Sequence, residues 1–177
     1  YLAPTCKEEY ERMLDWSYKR TDYPVAIRVP YAISYSGEED KTDYSILNKY
    51  KMIEQGGKVA IIALGDFFDK GREVKVLLKE KTGIDATLIN PRFITGIDKD
   101  MLEGLKVNHS VVITLEDGEL DGGFGEKITR FYGNSSMKVL NFGSHKEFTD
   151  RIPIDELYER YHLTNELIVK DVQKVLW

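Results

Sequence analysis

The amino-acid sequence predicts an α/β fold: a three-layer α/β/α sandwich with a mostly parallel sheet of about five strands, preceded by a helix-strand remnant of another α/β domain. Two observations support this prediction. Residues 59–64 and 110–115 form short, nearly continuous apolar runs, as strands do when both faces of their sheet are covered. Amphipathic helical stretches alternate with such runs, and this alternation is typical of right-handed βαβ crossovers.

Length, composition and charge exclude several classes of protein. The chain has 177 residues, 42% of them hydrophobic and 31% charged, which suits one domain with an appendage. Its net charge of -5 comes from acidic and basic residues mixed along the chain, so we expect neither nucleic acid nor a membrane as a partner. No apolar run approaches the roughly 20 residues that cross a bilayer, and no signal-peptide pattern is present, which predicts a cytoplasmic protein. A single cysteine, Cys6, and isolated histidines predict no disulfide and no metal site.

The first 30 residues predict a helix followed by a strand. Apolar side chains recur at spacings of three and four over residues 7–20, with Thr5 as the N-cap, and residues 23–29 resemble a buried strand of a parallel sheet. One helix and one strand cannot bury both faces of a sheet. We therefore interpret residues 1–30 as the end of another domain, and Tyr1 in place of methionine fits a fragment, although the design of an expression plasmid explains it as simply.

Residues 31–48 have no apolar period and a Ser-Gly-acidic centre, so they are predicted to be a linker exposed to water. Residues 49–177 then form the main domain. Its predicted strands are residues 49–55 at an edge, 59–64, 84–89, 110–115 and 137–141. Its predicted helices begin after Asp66, after Asp98, at the glycine cluster 122–125, at residue 154 and after Thr164, and Gly83 ends the first of them.

Two arginines are candidate functional residues. Arg28 follows an apolar run, where substrate loops of α/β proteins commonly lie, so it is a candidate for binding an anionic substrate. The alternative for Arg28, which we favour, is a structural salt bridge at the domain junction. Arg92 is a candidate for pairing with carboxylates across a loop edge, or for holding loops together, and we favour the second role.

Three glycines and two carboxylates complete the candidate set. Gly122, Gly123 and Gly125 precede a helix and could present N–H groups to a phosphate, but they serve a tight turn and close packing equally well. Glu116 and Asp117 follow a strand, where a carboxylate pair can act as acid and base or hold a cation. The sequence fixes no third catalytic group beside them, so we favour hydrogen bonding in a turn or at an interface.

The isolated histidines have no nucleophile at a readable spacing, and we expect structural roles for His109, His145 and His162. Six aromatic residues either pack on further domains or a second subunit, or pack within this chain, and the sequence leaves both readings open. These are Tyr10, Trp16, Tyr18, Tyr31, Tyr35 and Tyr44.

Four motifs resemble one enzyme family in order and spacing. They are Ala-Pro-Thr at 3–5, Tyr-Pro-Val-Ala-Ile-Arg at 23–28, Leu-Ile-Asn-Pro-Arg-Phe-Ile at 88–94, and Thr-Leu-Glu-Asp at 114–117 followed by Gly-Gly-Phe-Gly at 122–125. Together they resemble the end of the pyrimidine-binding domain, the linker and the transketolase-type C-terminal domain of the 1-deoxy-D-xylulose-5-phosphate synthases. The resemblance implies the domain bounds 1–30, 31–48 and 49–177.

The resemblance also implies a function for the whole protein. It implies a homodimer that uses thiamine diphosphate and magnesium to condense pyruvate with glyceraldehyde 3-phosphate, releasing carbon dioxide, on the way to isoprenoids, thiamine and pyridoxal phosphate. In that family the diphosphate motif and the glutamate on the pyrimidine ring belong to N-terminal and middle domains, and no Gly-Asp-Gly occurs here. The resemblance therefore implies no catalytic residue in this chain, no cofactor bound by it, and no activity without the N-terminal and pyrimidine domains.

One departure from the family concerns substrate binding. Many relatives read Ile-Arg-Tyr-Pro-Arg-Gly at the end of the pyrimidine domain, and the second arginine is expected to bind the sugar phosphate. Here Arg28 is retained, whereas Tyr31 and Ala32 replace Arg-Gly. Either another cation binds the phosphate, or the acceptor substrate differs. A hypothesis from a different class is a stand-alone small-molecule or nucleotide-binding α/β module, with the glycine cluster as its phosphate loop.

Overall fold

The computed structural model describes residues 1–177 and shows a five-stranded sheet with helices on both faces. The helices are α1 (Lys7–Tyr18), α2 (Phe67–Thr82), α3 (Lys99–Leu105), α4 (Phe124–Tyr132), α5 (Ile154–Arg160) and α6 (Asn165–Leu176). The strands are β1 (Lys51–Glu54), β2 (Lys58–Ala63), β3 (Thr87–Asn90), β4 (His109–Glu119) and β5 (Lys138–Ser144). Their order in the sheet is β1-β3-β2-β4-β5; β1 is antiparallel to β3 and the other neighbours are parallel. The predicted sandwich with a mostly parallel sheet is confirmed.

The central strands are apolar on both faces because helices cover each face. Val59, Ile61 and Ala63 of β2 pack with α2 and α6 in one core, while Ala60 and Ile62 pack with α3 and α4 in the other. The alternation of side chains along one strand thus divides the core into two layers. None of the helices is both long enough and apolar enough to cross a membrane.

Three helix boundaries predicted from single residues are confirmed. Asp98 accepts a hydrogen bond from the backbone N–H of Met101 at the start of α3. Thr164 accepts one from the N–H of Leu167 at the start of α6. Gly83 ends α2 with a φ of 75°, in the left-handed region that glycine enters without strain.

Two local predictions are wrong. Helix α1 begins after Cys6 rather than after Thr5, because the Thr5 N–H and hydroxyl both donate to the carboxylate of Glu9 instead of capping the helix. Strand β3 begins at Thr87 rather than at residue 84, because the carbonyl of Asp85 accepts from the N–H of Gly57 in the turn before β2 and not from a neighbouring strand.

Residues 23–29, predicted to be a strand, lie outside the five-stranded sheet of this chain. They pair only with Leu2, whose N–H donates to Ala26 at 2.9 Å and whose carbonyl accepts from Arg28 at 2.8 Å. Leu2 forms a second bridge, to Phe93, on its other side. We call this double pairing of Leu2 the N-terminal seam. The sequence assigns residues 23–29 to a sheet whose other strands lie in another domain, and that assignment stays a prediction.

A small third core joins the N-terminal segment, the linker and the main domain. It contains Leu2, Met13, Tyr44 and Phe93, and the Tyr44 ring lies 6.1 Å from that of Phe93 and 6.3 Å from that of Trp16. The helix of the N-terminal segment therefore has a partner within this chain. Of the six aromatic residues left open by the sequence, Tyr44 is buried and Tyr10 and Trp16 are half-buried, whereas Tyr18, Tyr31 and Tyr35 are exposed.

Candidate functional site at the carboxyl edge of the sheet

The connections of the sheet change direction between β2 and β4. From β2 the chain crosses to β3 on one side, and from β3 it crosses back to β4 on the other. In open α/β sheets, ligands bind in the crevice outside the carboxyl ends of the strands at such a point. Gly65 and Asp66 follow β2 here, and Asp117 lies near the end of β4. This crevice is the candidate functional site.

The crevice is filled by residues 28–30 of the chain itself. These residues line it together with Gly65 and Asp66, and the cavity that remains, about 10 Å³, has room for about one water molecule. The Arg28 guanidinium lies 2.9 Å from the Asp117 carboxylate. Burial raises the pKa of Asp117, and the positive charge of Arg28 opposes that shift. Arg28 is thus engaged in an ion pair at the junction, and the crevice has no room for a further ligand.

Glu116 occupies the N-terminus of α4. Its carboxylate accepts hydrogen bonds from the backbone N–H groups of Phe124 at 2.9 Å and Gly125 at 2.8 Å. The start of a helix attracts anions, and here a side chain of the same chain supplies the anion. Burial raises the pKa of Glu116, while the two hydrogen bonds act in the opposite direction. The glycine cluster therefore has these two donors already engaged.

The three glycines of this cluster let the start of α4 pack closely against strand β4 and the turn that follows it, each for its own reason. Gly122 has a φ of 74°, in the region that glycine favours. A Cβ on Gly123 would lie 2.3 Å from the carbonyl oxygen of Glu119, and one on Gly125 would lie 2.6 Å from Thr114 Oγ1. Both distances are too short for a real Cβ, so a tight turn and close packing account for these glycines.

Arg92 lies on the linker side of the sheet and forms no ion pair. Its guanidinium donates to Thr42 Oγ1 and to the carbonyl oxygen of Lys49, each at 2.7 Å. The residue is buried and has a φ of 59°, and its Nε has no hydrogen-bond partner. Arg92 lies in the loop after β3 and ties that loop to the linker, and it forms no ion pair with Glu116 or Asp117.

A buried carboxylate that the sequence analysis missed connects α1 to the sheet. Glu9 accepts hydrogen bonds from the Thr5 N–H and hydroxyl, each at 2.9 Å, and from Asn90 Nδ2 at 2.8 Å, without a Lys or Arg partner. Glu9 and Asn90 also line a cleft of about 660 Å³ beside the linker. An acidic residue in the first turn of a helix is the local signal for such a contact, but nothing local identifies Asn90 as its partner.

The histidines do not form a catalytic or metal-binding group. His109 hydrogen-bonds Thr87 at 2.8 Å and the Leu105 carbonyl at 2.9 Å, and burial lowers its pKa. His162 pairs with Asp171 at 2.9 Å. No group of three or more His, Cys, Asp or Glu side chains is close enough to hold a metal ion.

Comparisons with known proteins agree with this architecture. The family described as "Transketolase, C-terminal domain" matches residues 48–168. The chain is 37% identical to the 1-deoxy-D-xylulose-5-phosphate synthase of Clostridium tetani, over 99% of this chain and 28% of that protein. It is 34% identical to the 1-deoxy-D-xylulose-5-phosphate synthase of Lachnoclostridium phytofermentans, over 97% of this chain and 28% of that protein. The chain thus spans 28% of the length of these curated relatives.

A solved structure described as "Split gene transketolase, inactive beta4 tetramer" has the same fold. It aligns with a TM-score of 0.79 and 22% identity, over 98% of this chain and 56% of that chain. The family match covers most of the chain, and the curated relatives extend the similarity to its whole length. This chain therefore belongs to the transketolase C-terminal domain family and is similar throughout to part of the 1-deoxy-D-xylulose-5-phosphate synthases.

Proposed function

We propose that this chain is the C-terminal part of a 1-deoxy-D-xylulose-5-phosphate synthase, which uses thiamine diphosphate to condense pyruvate with glyceraldehyde 3-phosphate. Residues 1–30 complete the pyrimidine-binding domain, residues 31–48 are the linker and residues 49–177 are the transketolase-type domain. The task of the chain itself is to hold the domains together and to contribute to a dimer interface. Relatives with up to 37% identity support the reaction.

This role is supported by one observation: side chains of the chain itself occupy both of its candidate ligand-binding positions. Arg28 and its neighbours fill the crevice between β2 and β4, and Glu116 takes two N–H groups at the start of α4. A module that bound a ligand at either position would have to expel one of these groups. A joint between domains, in contrast, is stabilised by them.

The residues of this chain do not fit thiamine diphosphate and magnesium. No Gly-Asp-Gly motif occurs in the chain, and no group of three or more His, Cys, Asp or Glu side chains is close enough to hold a metal ion. The glycine-rich helix start that could receive a phosphate is engaged by Glu116. We infer that cofactor, magnesium and catalytic residues belong to the N-terminal and pyrimidine domains, and that this chain alone is inactive.

The exposed tyrosines support further partners. Tyr18, Tyr31 and Tyr35 are exposed here, so each is free to pack on the remaining domains or on the second subunit of a homodimer. Tyr31 directly follows residues 28–30, which fill the crevice, and it stands at the position where the resemblance implies a phosphate-binding arginine. A tyrosine donates one neutral hydrogen bond, so another cation binds the sugar phosphate or the acceptor differs. We place the whole enzyme in the cytoplasm.

The alternative is a stand-alone small-molecule or nucleotide-binding module with the glycine cluster as its phosphate loop. Occupation of that helix start by Glu116 disfavours it.

The experiment that tests the proposal compares this chain alone with the chain expressed together with the upstream part of its gene. Calorimetry with thiamine diphosphate and an assay of carbon dioxide release from pyruvate and glyceraldehyde 3-phosphate are the two measurements. We expect neither heat nor turnover from the chain alone, and turnover from the complete protein. Tight binding of thiamine diphosphate by the chain alone would contradict the proposal.

A matched pair of variants separates the two hypotheses. Glu116→Ala frees the N–H groups of Phe124 and Gly125, whereas Glu126→Ala removes an exposed carboxylate from the same helix and frees none. We expect no nucleotide binding by the unmodified chain or by either variant; binding gained by Glu116→Ala but not by Glu126→Ala would show that the Glu116 carboxylate blocks a phosphate loop. Nucleotide binding by the unmodified chain would support the stand-alone module.

A further inference from the structure

A second cavity lies on the other side of Asp117 from the filled crevice. It has a volume of about 270 Å³ and lies at the carboxyl ends of β4 and β5, under α5. Phe67, at the start of α2, also lines it, so the cavity flanks the point where the sheet connections change direction. Unlike the crevice, this cavity is open, and its volume suits a small molecule.

Aromatic rings form the apolar wall of the cavity. The rings of Phe67 and Tyr158 meet edge to face with centroids 6.1 Å apart. The rings of His145 and Tyr161 lie 4.9 Å apart, and Tyr161 is further fixed by a hydrogen bond of 2.5 Å from its hydroxyl to Glu147. These contacts hold the rings in place before any ligand binds, which lowers the entropic cost of binding.

The charges that line the cavity are of one sign. Asp117, Glu119 and Glu147 line it, and no Lys or Arg does. Asp117 is offset by Arg28 and Glu147 by Arg160, while the exposed carboxylate of Glu119 has no ion-pair partner. Aromatic faces and an unpaired carboxylate together attract organic cations and repel anions.

The chain itself shows that these rings accept an ammonium group. Lys70 Nζ lies 4.4 Å from the centroid of the Tyr158 ring and 5.6 Å from that of Phe67. Burial raises the pKa of the Tyr158 hydroxyl, and the negative charges of Asp117, Asp66 and Asp155 raise it further. The negative charges of three aspartates thus act on this wall, and Lys70 adds one positive charge to it.

We propose that this cavity binds a small organic cation that consists of an ammonium group attached to an aromatic or aliphatic group. The ammonium lies against Glu119 and the aromatic or aliphatic group lies against the rings of Tyr158 and Tyr161. The inference does not depend on the reaction of the whole protein, because no group in the cavity is assigned to that reaction.

Three probes of similar size and different charge test the proposal: benzylamine, benzyl alcohol and benzoate. Each is titrated into the 177-residue chain, and the backbone amide signals are followed by NMR. We expect benzylamine to shift the amides of Glu119, Ser144 and Tyr161 with millimolar affinity, benzyl alcohol to bind several-fold more weakly, and benzoate not to bind. Equal affinity for the three probes, a preference for benzoate, shifts only elsewhere, or no shifts would each overturn the proposal.

Two variants make the test specific to charge. Glu119→Gln should weaken benzylamine about two- to fivefold, the effect of losing one exposed charge pair, and should leave benzyl alcohol unchanged. Glu80→Gln removes an exposed carboxylate from the far end of α2 and should change neither. Equal benzylamine affinities for the two variants would show that Glu119 does not face the ligand.

Discussion

The guanidinium of Arg28 and the carboxylate of Asp117 lie 2.9 Å apart, and this ion pair ties the N-terminal segment to strand β4. The two side chains are 39% and 26% exposed, so water weakens the pair and we expect a coupling energy of about 0.5 kcal/mol. A double-mutant cycle with Arg28→Gln and Asp117→Asn, read by urea denaturation, measures it. Purely additive effects of the two substitutions would show that the contact contributes nothing.

The carboxylate of Glu116 is expected to contribute more, because it is buried and satisfies two N–H groups of α4. Glu116→Gln can accept from only one of them and turns a donor towards the other. We expect a loss of about 1–3 kcal/mol in the free energy of unfolding. Glu119→Gln is the matched control on the same strand, and because this residue is exposed its effect should stay within about 0.5 kcal/mol. Equal effects of the two substitutions would contradict the assigned contact.

Alanine at two glycines of the cluster should also destabilise the chain. The added Cβ meets a backbone oxygen at 2.3 Å in Gly123→Ala and the Thr114 hydroxyl at 2.6 Å in Gly125→Ala. We expect losses of about 1–3 kcal/mol, measured by urea denaturation. Gly104→Ala is the control: it lies in α3 with open space around the new Cβ, and should stabilise the chain by up to about 1 kcal/mol. An unchanged midpoint for both cluster variants would rule out the close approach.

Stability should depend on pH through His109. Burial lowers the pKa of this histidine from its usual 6.5, so at acid pH the unfolded chain binds a proton that the folded chain does not. The contribution of neutral His109 to the free energy of unfolding is fully present above pH 6.5 and is lost as the pH falls through the lowered pKa of the folded state. His109→Gln should make the dependence of the unfolding free energy on pH shallower as the pH falls below 6.5. Identical pH slopes for the His109 variant and the unmodified chain would refute the prediction.

The architecture was predictable because its signals are local. The apolar runs of β2 and β4, the capping side chains of Asp98 and Thr164, and the left-handed turn at Gly83 are each readable within a few residues. Helices and covered strands owe their positions to such patterns.

The missed contacts all depend on distant partners. Residues 23–29 have the composition of a strand, yet the neighbour available to them is Leu2 alone, and Leu2 is shared with Phe93. Glu9 is buried because Asn90 meets it from another part of the chain. The contact between Glu116 and the start of α4 was missed for a more local reason. Glu116 and the glycine cluster were both identified as candidates, but the sequence did not show that the turn between them brings the two together.

The N-terminal seam has a consequence for the two arginines. Leu2 is bonded on one side to the backbone of Arg28, and its neighbour Ala3 is bonded on the other side to the backbone of Arg92. The backbones of Arg28 and Arg92, which are far apart in sequence, are thus hydrogen-bonded to the adjacent residues Leu2 and Ala3. Displacing the first three residues by one position would break the backbone hydrogen bonds to both arginines at once, so these three residues couple two charges that the linker, three strands and helix α2 separate along the chain.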